Sequence, residues 1–104
     1  MIVYVDIDDT ICYCPENMDK LDYTNRIPYH DRIQRLNVWY KTSNITLVYW
    51  TARGTLTGKN WFQITYEQLK EWGCKFDELR MGKPAYDLFI DDKNINSEVF
   101  FASK

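Results

Sequence analysis

The sequence predicts an α/β fold: a single domain with a Rossmann-like, mostly parallel sheet and helices on both faces. Three observations predict it. Apolar, β-branched and aromatic runs occur at Met1–Val5 and Ile45–Trp50 without alternation, as in strands buried on both sides. Segments with three- and four-residue apolar spacing separate such runs. Each run ends abruptly in polar residues, and the carboxyl ends of parallel strands are where open α/β sheets place their ligands.

Taken in order, strand one covers about residues 2 to 8 and ends in Asp6-Ile7-Asp8-Asp9-Thr10. Residues 11 to 29 have no clean period and contain Pro15, Asn17, Asn25 and Pro28, so they form a long excursion that could act as a lid or binding loop. From about Tyr29 to Thr42, Ile33, Leu36 and Tyr40 mark a helix ended by Ser43-Asn44. A second strand, Ile45–Trp50, leads into Thr51-Ala52-Arg53-Gly54. After a polar loop, a helix runs from about Trp61 to Trp72, with Asn60 as its N-cap and Gly73 as its stop. Extended segments follow at Glu78–Met81 and Tyr86–Ile90, separated by Gly82-Lys83-Pro84, and the second runs into Asp91-Asp92. Ser97 caps a short terminal helix through Phe101. His30 reads as a helix-start residue, and Trp39, Trp61 and Trp72 as core or interface.

Composition narrows the function classes. With 104 residues and four Trp, eight Tyr and five Phe, the chain suffices for one core, so disorder is not expected. A net charge of −2 without a basic stripe points away from nucleic acid and membrane surfaces. No apolar run approaches the roughly 20 residues that span a bilayer. The chain begins directly with a strand and shows no signal-peptide pattern, so the expected compartment is the cytoplasm. Cys12, Cys14, Cys74 and the single His30 do not offer the paired spacing of a structural zinc site, and the cysteines read as reduced thiols.

Three carboxylates crowded at the end of a buried strand repel one another. A hard divalent cation with oxygen ligands offsets that repulsion most directly. If the ends of strands one, two and the last share one crevice, Asp6 and Asp8 meet Thr51 and Arg53, then Asp91 and Asp92, with Lys83 just before the last strand. Such a set can transfer a phosphoryl group. One carboxylate attacks phosphorus, and a second two positions on exchanges protons with the leaving oxygen and water. The Thr51 hydroxyl and neighbouring backbone N–H groups, that of Ala52 included, bind phosphate oxygens, and Lys83 offsets negative charge. Asp91 with Asp6 holds Mg²⁺. Arg53 either grips a substrate anion or pairs with Asp92 or Glu98.

The chain resembles the haloacid dehalogenase-like superfamily of aspartate-nucleophile phosphatases. Its motifs stand, in order, as Asp6-Ile7-Asp8-Asp9-Thr10, Leu47-Val48-Tyr49-Trp50-Thr51, Lys83 in Gly82-Lys83-Pro84, and Phe89-Ile90-Asp91-Asp92. Tyr49–Gly54 and Gly82–Lys93 look most like the small phosphatases of capsular polysaccharide biosynthesis. The resemblance implies Asp6 as nucleophile and metal ligand, and Asp8 as general acid/base whose backbone carbonyl also binds Mg²⁺. It implies Thr51 and Lys83 on phosphate, Asp91 as the third protein ligand, and Asp92 holding a metal-bound water or Lys83. Asp9 stands where the family commonly has Gly. Neither interval, Ile11–Tyr29 or Arg53–Trp61, has room for a cap domain, so the implied form is capless, with an open crevice covered by the 11–29 loop or by a neighbouring copy. The function so implied is a Mg²⁺-dependent phosphomonoesterase acting on a small phosphorylated metabolite such as a sugar phosphate. The alternatives are a nucleotide or polynucleotide phosphatase and, in another class, a phosphate- or metal-binding regulatory module without turnover.

Overall fold

A computed structural model describes residues 1–102. Three parallel strands form its sheet: β1 (Ile2–Val5), β4 (Thr46–Trp50) and β5 (Glu78–Arg80), in the spatial order β1-β4-β5. Val5 stands beside Tyr49, and Tyr49 beside Leu79, so the carboxyl ends of all three strands lie on one rim. A two-residue antiparallel pair, β2 (Cys12–Tyr13) with β3 (Ile27–Pro28), closes the base of the 11–29 excursion. Helix α1 (His30–Ser43) joins β3 to β4, α2 (Phe62–Glu71) precedes β5, and α3 (Ser97–Ala102) ends the described chain.

Helix ends follow local chemistry. Asn44 closes α1 in the left-handed conformation (φ +50°), which Asn tolerates better than most non-glycine residues. Gly73 (φ +76°) closes α2: its N–H donates to the Lys70 carbonyl and that of Cys74 to Leu69, the paired bonds of a Schellman motif. Two caps differ from expectation. Trp61 is the residue preceding α2, although the Asn60 side chain still accepts the Phe62 N–H at 3.0 Å. At α3 the cap falls on Asn96 instead of Ser97, because the Asn96 side chain accepts the Glu98 N–H and its carbonyl the Phe100 N–H.

Val48 is buried on one side of the sheet, and the main core cluster lies on the other. Val5, Leu47, Tyr49 and Leu79 are buried there with Ile33 and Leu36 of α1 and Leu69 of α2, and Val3 packs against them. Asp77 ties that layer to α1, since its carboxylate accepts both the Leu47 N–H and the Tyr40 hydroxyl. On the opposite face Ile2 and Tyr4 remain exposed, and Tyr4 meets Trp50 edge-on. The expected helices on both faces are therefore found on one. His30 begins α1, and Trp39, Trp61 and Trp72 pack into or against the core as expected.

The largest departure lies after β5. The extended segment Tyr86–Ile90 does not join the sheet, and Tyr86, Leu88, Phe89 and Ile90 are exposed. Strand apolarity alone could not place it. A parallel crossover takes a dozen or more residues, whereas residues 81–87 are all that separate β5 from Leu88. No helix among the described residues is long and apolar enough to cross a membrane.

Gly54 and Gly58 test how tightly the loop after β4 is built. Both have positive φ, but a Cβ on Gly54 would stand 2.1 Å from the Lys59 carbonyl oxygen, while one on Gly58 meets nothing within 4 Å. Gly54→Ala is expected to cost about 3 kcal/mol in urea unfolding and Gly58→Ala about 1 kcal/mol. Equal losses would mean that the loop shifts to relieve the clash.

Candidate active site

Asp6 and Asp8 flank buried Ile7 just past β1, on the rim where the parallel strands end. The turn after them is held by the Thr10 and Ile11 N–H groups donating to the Ile7 carbonyl, and by the Asp9 N–H donating to Cys12 at 2.8 Å. Asp9 takes φ +63°. This is the physical reason that glycine suits the position: a left-handed residue is strained for most side chains, and Asp is among the few that tolerate it.

Asp8 is the most heavily paired carboxylate. Arg53 grips it bidentately, Nε to Oδ2 at 2.9 Å and Nη2 to Oδ1 at 3.0 Å. Arg26 adds Nε to Oδ1 at 3.1 Å. Burial alone would push the Asp8 carboxyl up, but the two guanidiniums outweigh it and hold it below the ordinary carboxylate range. Cys12, buried beside it, is pushed up and stays a thiol whose Sγ approaches Asp8 Oδ1 at 3.5 Å. Arg53 is 3 % exposed, and its remaining Nη1 donates to Thr65 at 3.0 Å and Gln68 at 2.6 Å.

The Arg53 expectation is therefore corrected. The side chain is buried on Asp8 and pairs with neither Asp92 nor Glu98; Glu98 pairs with Arg32 instead. A cation close to a buried carboxylate gains more there than at the solvated surface, so the nearest strand-end acid captured it. Arg26 was missed altogether. It lies in a stretch without periodicity, and no local signal could show that residues 18 positions apart meet. Its other nitrogens donate to the Asp22 and Lys20 carbonyls, while Gln68 donates to the Tyr23 carbonyl, so the excursion is strapped to α2 and to the acid.

Asp6 has a different setting. Burial pushes its carboxyl up, and Lys83, whose Nζ lies 3.4 Å from Asp6 Oδ1, opposes this. Its side chain keeps 37 % exposure, so one cation and open solvent share it. Thr51 is buried, and its hydroxyl oxygen accepts the Arg53 N–H at 3.1 Å. Its carbonyl accepts the Lys83 N–H at 3.0 Å, which ties the lysine to the end of β4. Ala52 is half-buried beside it. Asp6, Asp8, Thr51, Ala52 and Lys83 thus come together.

Asp91 and Asp92 do not join them. Both are exposed beyond the unpaired Tyr86–Ile90 segment, and no group of three or more His, Cys, Asp or Glu placed to hold a metal forms among the described residues. The expected Mg²⁺ ligands are the Asp6 carboxylate, the Asp8 backbone carbonyl and Asp91; among the described residues Asp91 is not grouped with the strand-one acids, and one Asp6 oxygen lies on Lys83.

No protein-family model and no curated protein matches the chain. A crystal structure of a structural-genomics target from Vibrio cholerae is similar, with a TM-score of 0.83 and 25 % identity over 99 % of this chain and 89 % of that one. The similarity supports the α/β architecture.

Two substitutions probe the site, the first of them the clamp. Arg53→Met is expected to destabilise the fold by about 3–5 kcal/mol at pH 7, because it strips a part-buried carboxylate of its main partner. The native Asp8 value lies below that of the unfolded chain, so the clamp's contribution is complete above about pH 4 and is lost as pH falls through the native value. The gap between wild type and variant should therefore narrow at pH 3; a gap equal at both values would show that Asp8 is not the partner that matters. Asp9→Gly, in contrast, should raise stability by about 1 kcal/mol by relieving the left-handed strain.

Proposed function

We propose that this chain is a capless haloacid dehalogenase-like phosphatase: a Mg²⁺-dependent phosphomonoesterase acting on a small phosphorylated metabolite, a sugar phosphate foremost. The observation that carries the reading is the convergence of Asp6 with Lys83, itself bonded through its backbone to Thr51, on the rim of a parallel sheet. Three segments far apart in sequence supply a nucleophile, a cation and a hydroxyl-bearing strand end at one place.

The two carboxylates have environments that suit different tasks. Asp6 is partly desolvated and half-open, which leaves a carboxylate oxygen free to attack phosphorus, while Lys83 opposes the upward push of burial on the group. Its bond to phosphorus forms as the ester oxygen leaves, giving an aspartyl phosphate that water then cleaves. Asp8 is held ionised by Arg53 and Arg26. To protonate the leaving oxygen it must first gain a proton, and an arriving phosphate dianion favours this by placing negative charge beside it. The cofactor of this reading is Mg²⁺, for which one chain by itself gathers Asp6 but not Asp91.

A second reading, a phosphate-binding module without turnover, draws on the same clamp: an Asp8 gripped by two guanidiniums is also what a purely structural acid looks like. Phosphate release from sugar phosphates, nucleotides and an aryl phosphate, with Mg²⁺ or with EDTA, separates the two. Metal-dependent release from one substrate class is expected, and Asp6→Asn should abolish it while leaving Tm equal or higher, since the substitution removes a carboxylate that burial disfavours. Turnover retained by Asp6→Asn would assign the attack to another residue, and release from no substrate would favour the binding module.

A further inference from the structure

The outer edge of β1 and the segment after Lys83 are both unfinished. β1 is the terminal strand of the order β1-β4-β5, so a row of its outer backbone groups has no strand partner among the described residues, and Ile2 (69 %) and Tyr4 (45 %) are exposed on the adjoining sheet face. Folded proteins cover, twist or charge such edges, because an open one is a template for another strand. Residues 2–5 carry no charge and no proline.

The same chain presents a segment of matching character. Leu88-Phe89-Ile90 is apolar throughout and runs into Asp91-Asp92, just as Val3-Tyr4-Val5 runs into Asp6. Consecutive apolar residues fit a strand buried on both faces, yet Leu88 is 75 % and Ile90 89 % exposed. Its own β1 is out of reach in the parallel sense. Lys83 already stands at the carboxyl end beside Asp6, and the seven residues 84–90 would have to descend the strand and climb it again to bring Asp91 level. That is too short for a parallel crossover. Between two molecules the restriction disappears, since the arm leaves one sheet and enters another.

We propose that Leu88–Ile90 of one chain adds in parallel to the free edge of β1 in a second copy, reciprocally, so that two chains exchange these arms as a two-fold dimer. With Ile90 beside Val5, the arm carries Asp91 of the partner subunit to the rim that holds Asp6 and Asp8. The carboxylate set that one chain leaves incomplete is then shared between two. This last step rests on the phosphatase reading; the strand exchange itself does not.

Sedimentation and light scattering at tens of micromolar protein test the exchange without any substrate. A dimer is expected, and Leu88→Lys/Ile90→Lys should weaken it at least tenfold while keeping the wild-type circular dichroism, because both side chains are exposed within one chain. A monomeric wild type, or a dimer indifferent to the two lysines, overturns the proposal even if turnover is normal. Mixed chains test the shared site. Asp6→Asn and Asp91→Asn, each inactive alone, are co-refolded in equal amounts. Half of the dimers are then mixed, and each has one intact site of its two, so about a quarter of wild-type turnover returns. A dimer sensitive to the lysines but without turnover in any wild-type assay would leave the exchange standing and overturn the phosphatase reading instead. An active dimer whose mixed chains regain nothing would overturn the sharing of the site.

Discussion

The bidentate grip of Arg53 on Asp8 is the interaction on which the rest of the site depends. A carboxylate at the end of a buried strand is tolerable only when paired, and here one partner arrives from the loop after β4 and another, Arg26, from the 11–29 excursion. Two segments are thereby locked to one acid. The same guanidinium reaches Thr65 and Gln68, and Gln68 returns to the Tyr23 carbonyl, so α2 and the excursion are fastened by one polar network. Its members are mutually satisfied, the condition under which a buried network rigidifies a structure and does not weaken it.

Around that network the two acids diverge. Asp8 is held low by charge, whereas Asp6 is raised by burial and steadied by a single lysine. Environments that push neighbouring carboxyls apart suit a division of labour between attack and proton transfer. The divergence does not follow from their spacing, since the residues are alike and two positions apart. It comes from what the fold brings to each.

The sheet itself is spare. Its helices pack on the Val5–Leu47–Tyr49 face, and the side bearing Ile2 and Tyr4 is left with Trp50 as its main aromatic neighbour. The outer edge of β1 and the exposed Leu88–Ile90 segment are both left over, and the connection after β5 is too short to join them in parallel within one chain.

Much of this was legible in the sequence. The strands at Ile2–Val5 and Thr46–Trp50, both long helices, and the ends at Asn44 and Gly73 follow from side-chain periodicity and backbone preference, which act over a few residues. That Asp6 and Thr51 meet followed from the rule that parallel strands end on one rim, whereas Lys83 reaches that rim because it follows the end of β5. What the sequence by itself determined was therefore the elements and the rim. Tertiary structure alone decided that Arg53 turns inward to Asp8, that Arg26 joins it from 18 residues away, and that Tyr86–Ile90 stays out of the sheet. The first two depend on which charge lies nearest in space. The third depends on how far a short connection can reach, a limit on the path of the chain that no side-chain pattern records.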